Sequence, residues 1–319
     1  MSQALVITVL NEAKTVGRLL DSVLAQALLP DEVVVCDGGS TDGTLEILEA
    51  YGRRLPLRVI RAPGSTIAAG RNRAIEATRA ERLAVTDAGV RLDPGWFRAL
   101  MDALDDPRTV AAGAFAPDPV GWFERALAAV TLPLPEEIPP DRFLPSSRSV
   151  AFYRSAWAAV GGYPEWLDYC EDVVFDLKLL AAGCRFRWVP EAVVYFRPRP
   201  DIPAFFRQYF NYARGDGKAG LWPERHTIRY GAYGWLIYWL LRGRRNPALT
   251  AALGVGAAFY LRRPLVRYIR RLGRGLPPAE FAAGLALLPV LRFVGDLAKM
   301  AGYPSGVYWR SRYRPPSWR

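Results

Sequence analysis

Three short stretches of this chain each place an acidic side chain where an apolar run stops. Asp37 follows the β-branched run 33–36 and leads into Gly38-Gly39 and the small polar cluster Ser40-Thr41-Asp42. Asp87 closes the run 82–86 and precedes Ala88-Gly89, and Asn11-Glu12 follow the run 4–10. A fourth group, Glu171-Asp172, opens a later amphipathic stretch. Carboxylates can accept hydrogen bonds from N–H and hydroxyl groups, hold a cation, or take a proton from a nucleophile. Other chemistries lack their residues. No Gly-x-Gly-x-x-Gly follows the first run and no Gly-Lys-Ser/Thr loop occurs, which argues against a dinucleotide site and a P-loop enzyme. The single histidine, His226, is slender support for a Ser-His-Asp or histidine–metal mechanism. Carboxylate chemistry remains.

The elements that must position these groups read as strand–helix alternation. Apolar, β-branched runs at 4–10, 32–36, 57–61 and 82–86 predict strands. Helical spacing predicts helices at 16–28, 45–51 and 66–78, with another through Trp96, Leu100 and Leu104 behind Pro94. Such alternation implies a parallel sheet covered by helices, with the ligand outside the carboxyl ends of the strands. Asn11-Glu12, Asp37, Pro63-Gly64 and Asp87 fall at those ends. Gly38 and Gly39 let the chain turn sharply and let a ligand approach, and Ser40, Thr41 and Asp42 are expected to cap the following helix. Further strands are expected at 109–116, 148–153, 185–189 and 192–196, and a proline- and acid-rich exposed loop at 131–145. A helix is expected over 168–182, with Val173, Val174, Leu177, Leu179 and Leu180 inward. Glu171-Asp172 sit in its first turn, where the helix dipole favours negative charge. An aromatic helix follows at 202–214.

The net charge of +11 over 319 residues is unevenly spread. Residues 227–319 carry 16 Lys and Arg against Glu280 and Asp296, a balance of +14, which leaves −3 for residues 1–226. A catalytic domain over 1–226 and a basic helical region over 227–319 are therefore expected. The tail is basic, aromatic and apolar together, which suits an anionic membrane surface better than nucleic acid. Three scattered cysteines, Cys36, Cys170 and Cys184, fit a reducing compartment, and no signal peptide is expected at the N-terminus.

Taken together, Thr8-Val9-Leu10-Asn11-Glu12, the stretch from Asp37 to Thr44, Gly70-Arg71-Asn72-Arg73-Ala74-Ile75, Thr86-Asp87-Ala88-Gly89 and Glu171-Asp172 resemble, in order, the motifs of family 2 glycosyltransferases of the GT-A fold. The resemblance covers about residues 4–215. It implies a nucleotide-sugar-binding α/β sheet flanked by helices, and inverting transfer of a sugar from a nucleoside-diphosphate donor to a hydroxyl. By this resemblance Thr8, Leu10, Asn11, Glu12, Asp37, Gly38, Arg71, Asn72, Asp87 and Ala88 border the donor, with Asp37 on the base or ribose. Arg71 and Arg73 are the candidates to face the diphosphate. Two residues apart on a helix, they point to different sides, so one of them is expected to contribute. Asp87 matches the first acid of the family's Asp-x-Asp metal motif, and Gly89 replaces the second. Mg²⁺ or Mn²⁺ would then rest on Asp87, donor phosphates and water, or arginine would take the charge. Asp172, beside Glu171, matches the catalytic base.

The apolar stretches 230–241, 248–261 and 281–294 each fall short of the roughly 20 residues of a spanning helix. Arginine clusters at 242, 244 and 245 and at 262–274 flank them. Helices lying in or dipping into the cytoplasmic face of a membrane are expected, with the catalytic domain on the cytoplasmic side. Such a tail suits a lipid-linked or surface-glycan acceptor. Two other readings stay open: a nucleotide-sugar-binding membrane scaffold without turnover, which Gly89 motivates, and a nucleotidyltransferase, which lacks its glycine- and arginine-rich phosphate loop here.

Overall fold

The computed structural model describes residues 1–243 and 245–318, so Arg244 of the first arginine cluster lies outside the described residues, as does Arg319. Two units are formed. The first comprises Met1–Asp118 and Leu134–Arg197 with the residues from Pro316 on; the second comprises Pro119–Pro133 and Pro198–Pro315. The division expected after residue 226 therefore falls earlier. Its physical cause is a helix, α8 (Ile202–Ala219), that packs along the C-terminal helix α11 (Pro278–Tyr313).

The first unit is built on an eight-stranded sheet of order β3-β2-β1-β4-β7-β6-β8-β5. Its strands are β1 (Gln3–Val9), β2 (Glu32–Asp37), β3 (Leu57–Arg61), β4 (Arg82–Asp87), β5 (Val90–Leu92), β6 (Thr109–Pro117), β7 (Val150–Tyr153) and β8 (Arg185–Phe196). The first four are parallel, as the alternation predicts. Both faces of β1, β2 and β4 are covered, so these strands are apolar almost without a break, whereas the edge strand β3 exposes Arg58 and Arg61. Leu5, Ile7, Val33 and Val35 pack with α1 (Val16–Leu24) and α4 (Trp96–Asp102), while Val6, Val34 and Cys36 pack with α3 (Ile67–Ala77). The register sets the site. Val9 lies opposite Asp37, and Thr8 lies opposite both Cys36 and Asp87, so the two aspartates end their strands at one edge.

The two strands expected at 185–189 and 192–196 form the single β8. Its pairing with β6 jumps from Gly113↔Val189 to Ala114↔Val193. Pro190 has no N–H to give the ladder, and the irregularity falls there. Gly113 is required at this point, because a Cβ would lie 2.2 Å from Ser149 Oγ and 2.3 Å from Ala192 O. The three-residue β5 was not expected from the sequence; it pairs antiparallel with the end of β8. The segment expected as loop at 131–145 begins with the last residue of a helix, Thr131, and from 132 on is loop apart from one 3-10 turn, Pro135–Glu137; much of it is half-buried rather than fully exposed.

In the second unit α5 (Gly121–Thr131), which the sequence reading did not anticipate, contributes Ala126, Leu127 and Ala129 to a core with Phe205, Tyr268, Leu288 and Leu291. The remaining helices are α9 (Pro223–Tyr238) and α10 (Pro247–Arg267). Gly217 of α8 meets Gly306 of α11 at backbone distance, and Gly302 of α11 meets the Phe210 backbone of α8. A Cβ on Gly306 would sit 2.1 Å from Arg214 O, and one on Gly217 would sit 2.4 Å from Tyr303 O. The stretch 281–294, expected to be too short to span, is part of the 36-residue α11, which is long and apolar enough to cross a bilayer by length and composition.

Candidate active site

The turn after β1 and the turn after β2 are tied side by side. Asn11 N–H donates to Ser40 Oγ (2.9 Å), and Asn11 Oδ1 accepts from Thr41 N–H (2.9 Å). Glu12 N–H donates to Thr44 Oγ1 (2.9 Å) and Ala13 N–H to Asp42 Oδ2 (3.1 Å). Ser40, Thr41 and Asp42 therefore serve chiefly the neighbouring turn. The N-cap residue of α2 (Thr44–Tyr51) is Gly43, with φ 92° and no side chain to offer, and of the three expected caps only Asp42 serves the helix start, its Oδ1 accepting from Thr44 N–H (3.2 Å). The Asp37 carboxylate accepts from Gly39 N–H (3.0 Å) and Ser40 N–H (3.1 Å) and is 1% exposed. In this conformation Asp37 builds the turn that walls the site.

A cavity of about 240 Å³ opens beside these turns at the carboxyl edge of the sheet. Of the residues expected to border the donor, Thr8, Leu10, Glu12, Gly38, Asp87 and Ala88 line it. Asn11, Asp37, Arg71 and Asn72 do not. Ser65, Thr66 and Ile67 join the wall, a contribution the sequence reading missed although Ser-Thr before a helix is a start signal. Thr66 caps α3, accepting from Ala69 N–H (3.2 Å). The open N-terminus of α3 thus faces the cavity, an arrangement that attracts phosphate.

Arg71 turns away from the cavity wall. It is 2% exposed and donates to Asp87 Oδ1 (2.8 Å) and Glu171 Oε1 (2.6 Å). Burial works against its charge, but Asp87 and Glu171 outweigh burial and hold its pKa above the ordinary value. Arg73, two residues on, is exposed. Asn72 is likewise engaged. Its amide donates to Tyr163 O and Glu165 Oε1 (both 2.9 Å) and accepts from Tyr163 N–H (2.9 Å) and Trp157 Nε1–H (3.0 Å). All four bonding positions of the amide are filled, so it holds the 157–165 segment.

Asp87 is 24% exposed, and Arg148 pairs with its second oxygen at 3.2 Å. The sequence reading set Arg148 at a strand start with no role; only the antiparallel pairing of β4 with β7 reveals it. As a metal ligand Asp87 stands without a second carboxylate. Among the described residues no group of three His, Cys, Asp or Glu is placed to hold a metal. One carboxylate with phosphates and water still fits Mg²⁺ or Mn²⁺.

Glu171 and Asp172 open α7 (Glu171–Ala181). Glu171 is buried, and that burial, then the neighbouring Asp172, pushes its pKa up to about 7 against the pull of Arg71. Asp172 is half-buried. Its carboxylate accepts from Val173 N–H (2.9 Å) and lies 3.5 Å from Ser146 Oγ. One turn on, Asp176 is buried with Oδ2 unpartnered, and burial followed by Asp172 raises its pKa well above the usual range. The sequence reading missed Asp176 and set Leu180 inward. The buried face is Glu171, Val174, Phe175, Asp176 and Leu179, and Leu180 is exposed. His226 belongs to the second unit, stacked on Tyr303 and 3.2 Å from Asp216 Oδ2.

Comparison with known proteins identifies the family. The model of glycosyl transferase family 2 matches residues 4–153. The chain is 30% identical to the succinoglycan biosynthesis protein ExoA of Rhizobium meliloti over 234 residues, covering 68% of this chain and 69% of that protein. It is 30% identical to the pre-mycofactocin glycosyltransferase of Mycobacterium tuberculosis over 252 residues, covering 74% of this chain and 51% of that protein. In fold it is similar to a mannosyltransferase from Pyrobaculum calidifontis in complex with GDP-Man and Mn²⁺. There the TM-score is 0.56 at 17% identity, over 98% of this chain and 87% of that one. The chain belongs to glycosyl transferase family 2 and has a GT-A type sheet. It is a nucleotide-sugar glycosyltransferase.

Proposed function

We propose that the first unit transfers a sugar, with inversion at the anomeric carbon, from a nucleoside-diphosphate sugar to a hydroxyl of a lipid-linked or surface-glycan acceptor. The observation that carries this reading is the Arg71 bridge, 2.8 Å to Asp87 on the donor cavity and 2.6 Å to Glu171 beside Asp172. It couples the edge that would hold the donor to the helix start that carries the acids. Thr8, Leu10, Glu12, Gly38 and Ala88 border the nucleotide, and Asp37 and Asn11 fix the shape of that wall. The α3 N-terminus receives the diphosphate, and Asp87 would hold a divalent cation with the phosphate oxygens and water. When bound, that cation neutralises charge on the leaving group. Asp172 takes the proton of the acceptor hydroxyl as its oxygen attacks the anomeric carbon. The bond from that carbon to the diphosphate oxygen breaks, and the nucleoside diphosphate leaves with the electron pair. Glu171, Asp176 and Arg71 position Asp172. A relative named for succinoglycan biosynthesis supports a glycan acceptor, and the basic apolar helices of the second unit support a place at the cytoplasmic face of a membrane.

The test is Asp172→Asn. Turnover with a nucleotide sugar falls by about 10²–10⁴-fold, the usual contribution of a general base, while nucleoside-diphosphate affinity stays within about twofold. A variant with full turnover overturns the base assignment. A product with retained anomeric configuration, read by NMR, overturns inversion.

A further inference from the structure

The second unit contains its own cavity, about 1430 Å³, walled by helices α9, α10 and α11 with Phe205 and Tyr209 of α8. Its walls are largely apolar, with Trp235, Leu236, Trp239, Leu253 and Phe259 among them. Its charge is one-sided. Seven lining residues are Arg or Lys, and the one lining acid is Asp296. That acid is already neutralised: Arg229 Nε pairs with it at 2.9 Å, and the hydroxyls of Tyr233 and Tyr260 donate to it. Arg292 and Lys299 lie on the same face of α11, two turns apart. Arg292 stacks on Tyr260 at 3.9 Å, and its Nε is buried without a hydrogen-bond partner. Lys299 lies 4.8 Å from the Tyr209 ring. These cations line a space that supplies no further acid.

A long apolar cavity whose inner cations outnumber its acids is complementary to an amphiphile with an anionic head. We propose that this cavity binds one lipid phosphate, its phosphate head on Arg292 and Lys299 and its hydrocarbon chain along the Trp235, Trp239 and Phe259 walls. The exposed apolar side chains Ile237 on α9, Leu240 and Leu241 on the π-helical turn Trp239–Gly243 that follows it, and Val255 on α10 supply a surface through which a chain can enter from a bilayer. Where the acceptor is lipid-linked, this is the seat of its anchor; that identification rests on the function proposed above, and the binding itself does not.

The test uses the full chain in neutral detergent, with dioleoyl phosphatidic acid as probe and dioleoyl phosphatidylcholine and inorganic phosphate as comparators, read by native mass spectrometry. Phosphatidic acid is expected to bind one per chain and about tenfold or more tighter than phosphatidylcholine, because its head meets two half-buried cations without an acid to compete. Lys299→Met should remove that preference. Gly256→Leu should block both lipids, since Gly256 lines the cavity and a Cβ there meets nothing within 4 Å. If one variant fails to melt cooperatively, the other decides. Equal binding of the two lipids by the native chain, a preference unchanged in Lys299→Met, or displacement of phosphatidic acid by equimolar inorganic phosphate each overturns the proposal. Nucleoside-diphosphate binding in the same samples reads the donor site separately. Its loss beside intact lipid selectivity would count against the transferase mechanism alone.

Discussion

Replacing Gly89 by aspartate should convert the donor edge into a tighter cation site. Gly89 lines the donor cavity with Asp87, its φ is not in the left-handed region, and a Cβ there meets nothing within 4 Å. The side chain therefore enters open space with no backbone strain. A carboxylate about 4 Å from a divalent cation contributes on the order of 2 kcal/mol even at the dielectric of water. That corresponds to roughly a thirtyfold gain in affinity. In the native chain the cation competes with Arg71 and Arg148 for Asp87. The added carboxylate has no such partner in place, so the gain should appear nearly whole. The assay is a Mn²⁺ titration of the EDTA-stripped protein with a saturating nucleoside diphosphate, followed by melting temperature or calorimetry. A variant that binds the nucleotide normally yet holds Mn²⁺ within about threefold of the native chain would refute the placement of a cation between Asp87 and residue 89.

Three further outcomes follow from the geometry. Asn72→Ala leaves the Tyr163 N–H and the Trp157 indole without their acceptor, and should cost about 2–4 kcal/mol in urea unfolding; a loss below about 1 kcal/mol would mean that the 157–165 segment holds itself. Asp176 keeps its proton in the folded state to a higher pH than in the unfolded state, so its contribution to stability declines as pH rises above the ordinary carboxylate range. Asp176→Asn should therefore flatten the fall in stability between about pH 5 and pH 8, and a parallel pair of curves would contradict this. Gly306→Ala drives a methyl group into Arg214 O at 2.1 Å, and should cost about 1–3 kcal/mol or more by forcing α8 from α11; an unchanged melting temperature would show that the helices yield freely.

The parallel half of the sheet was legible because β1, β2 and β4 are covered on both faces and so announce themselves as apolar runs ending in polar turns, while the edge strand β3 shows itself by its β-branched residues between the exposed Arg58 and Arg61. Asp37 and Asp87 could be set at one edge from that pattern alone. What their side chains do there could not. Asp37 is turned into its own loop by Gly39 and Ser40 N–H groups, and Arg71 is drawn inward by Glu171, a hundred residues away in sequence. Arg148 was hidden for the same reason, since its partner Asp87 lies on another strand, and Asp176 because it is an acid on the buried face of α7. On α7 the run of valines and leucines suggested an inward stripe one step out of phase, because Glu171 and Asp176 occupy positions that hydrophobicity assigns to apolar residues. Helix α5 escaped notice because its buried contacts are largely alanines, which carry little periodic contrast.

The core that α5 shares with Leu288 and Leu291 has a consequence for synthesis. Leu127 and Leu288 are 161 positions apart. At ribosomal rates of about 5–20 residues per second, α5 must wait on the order of 10–30 s for its partner to emerge. During that interval the segment on its N-terminal side can already form the parallel strands, while Ala126, Leu127 and Ala129 stay uncovered. The nascent chain therefore passes through a stage in which a finished half carries an unfinished apolar helix. Truncations before residue 288 should accumulate in aggregates or on chaperones.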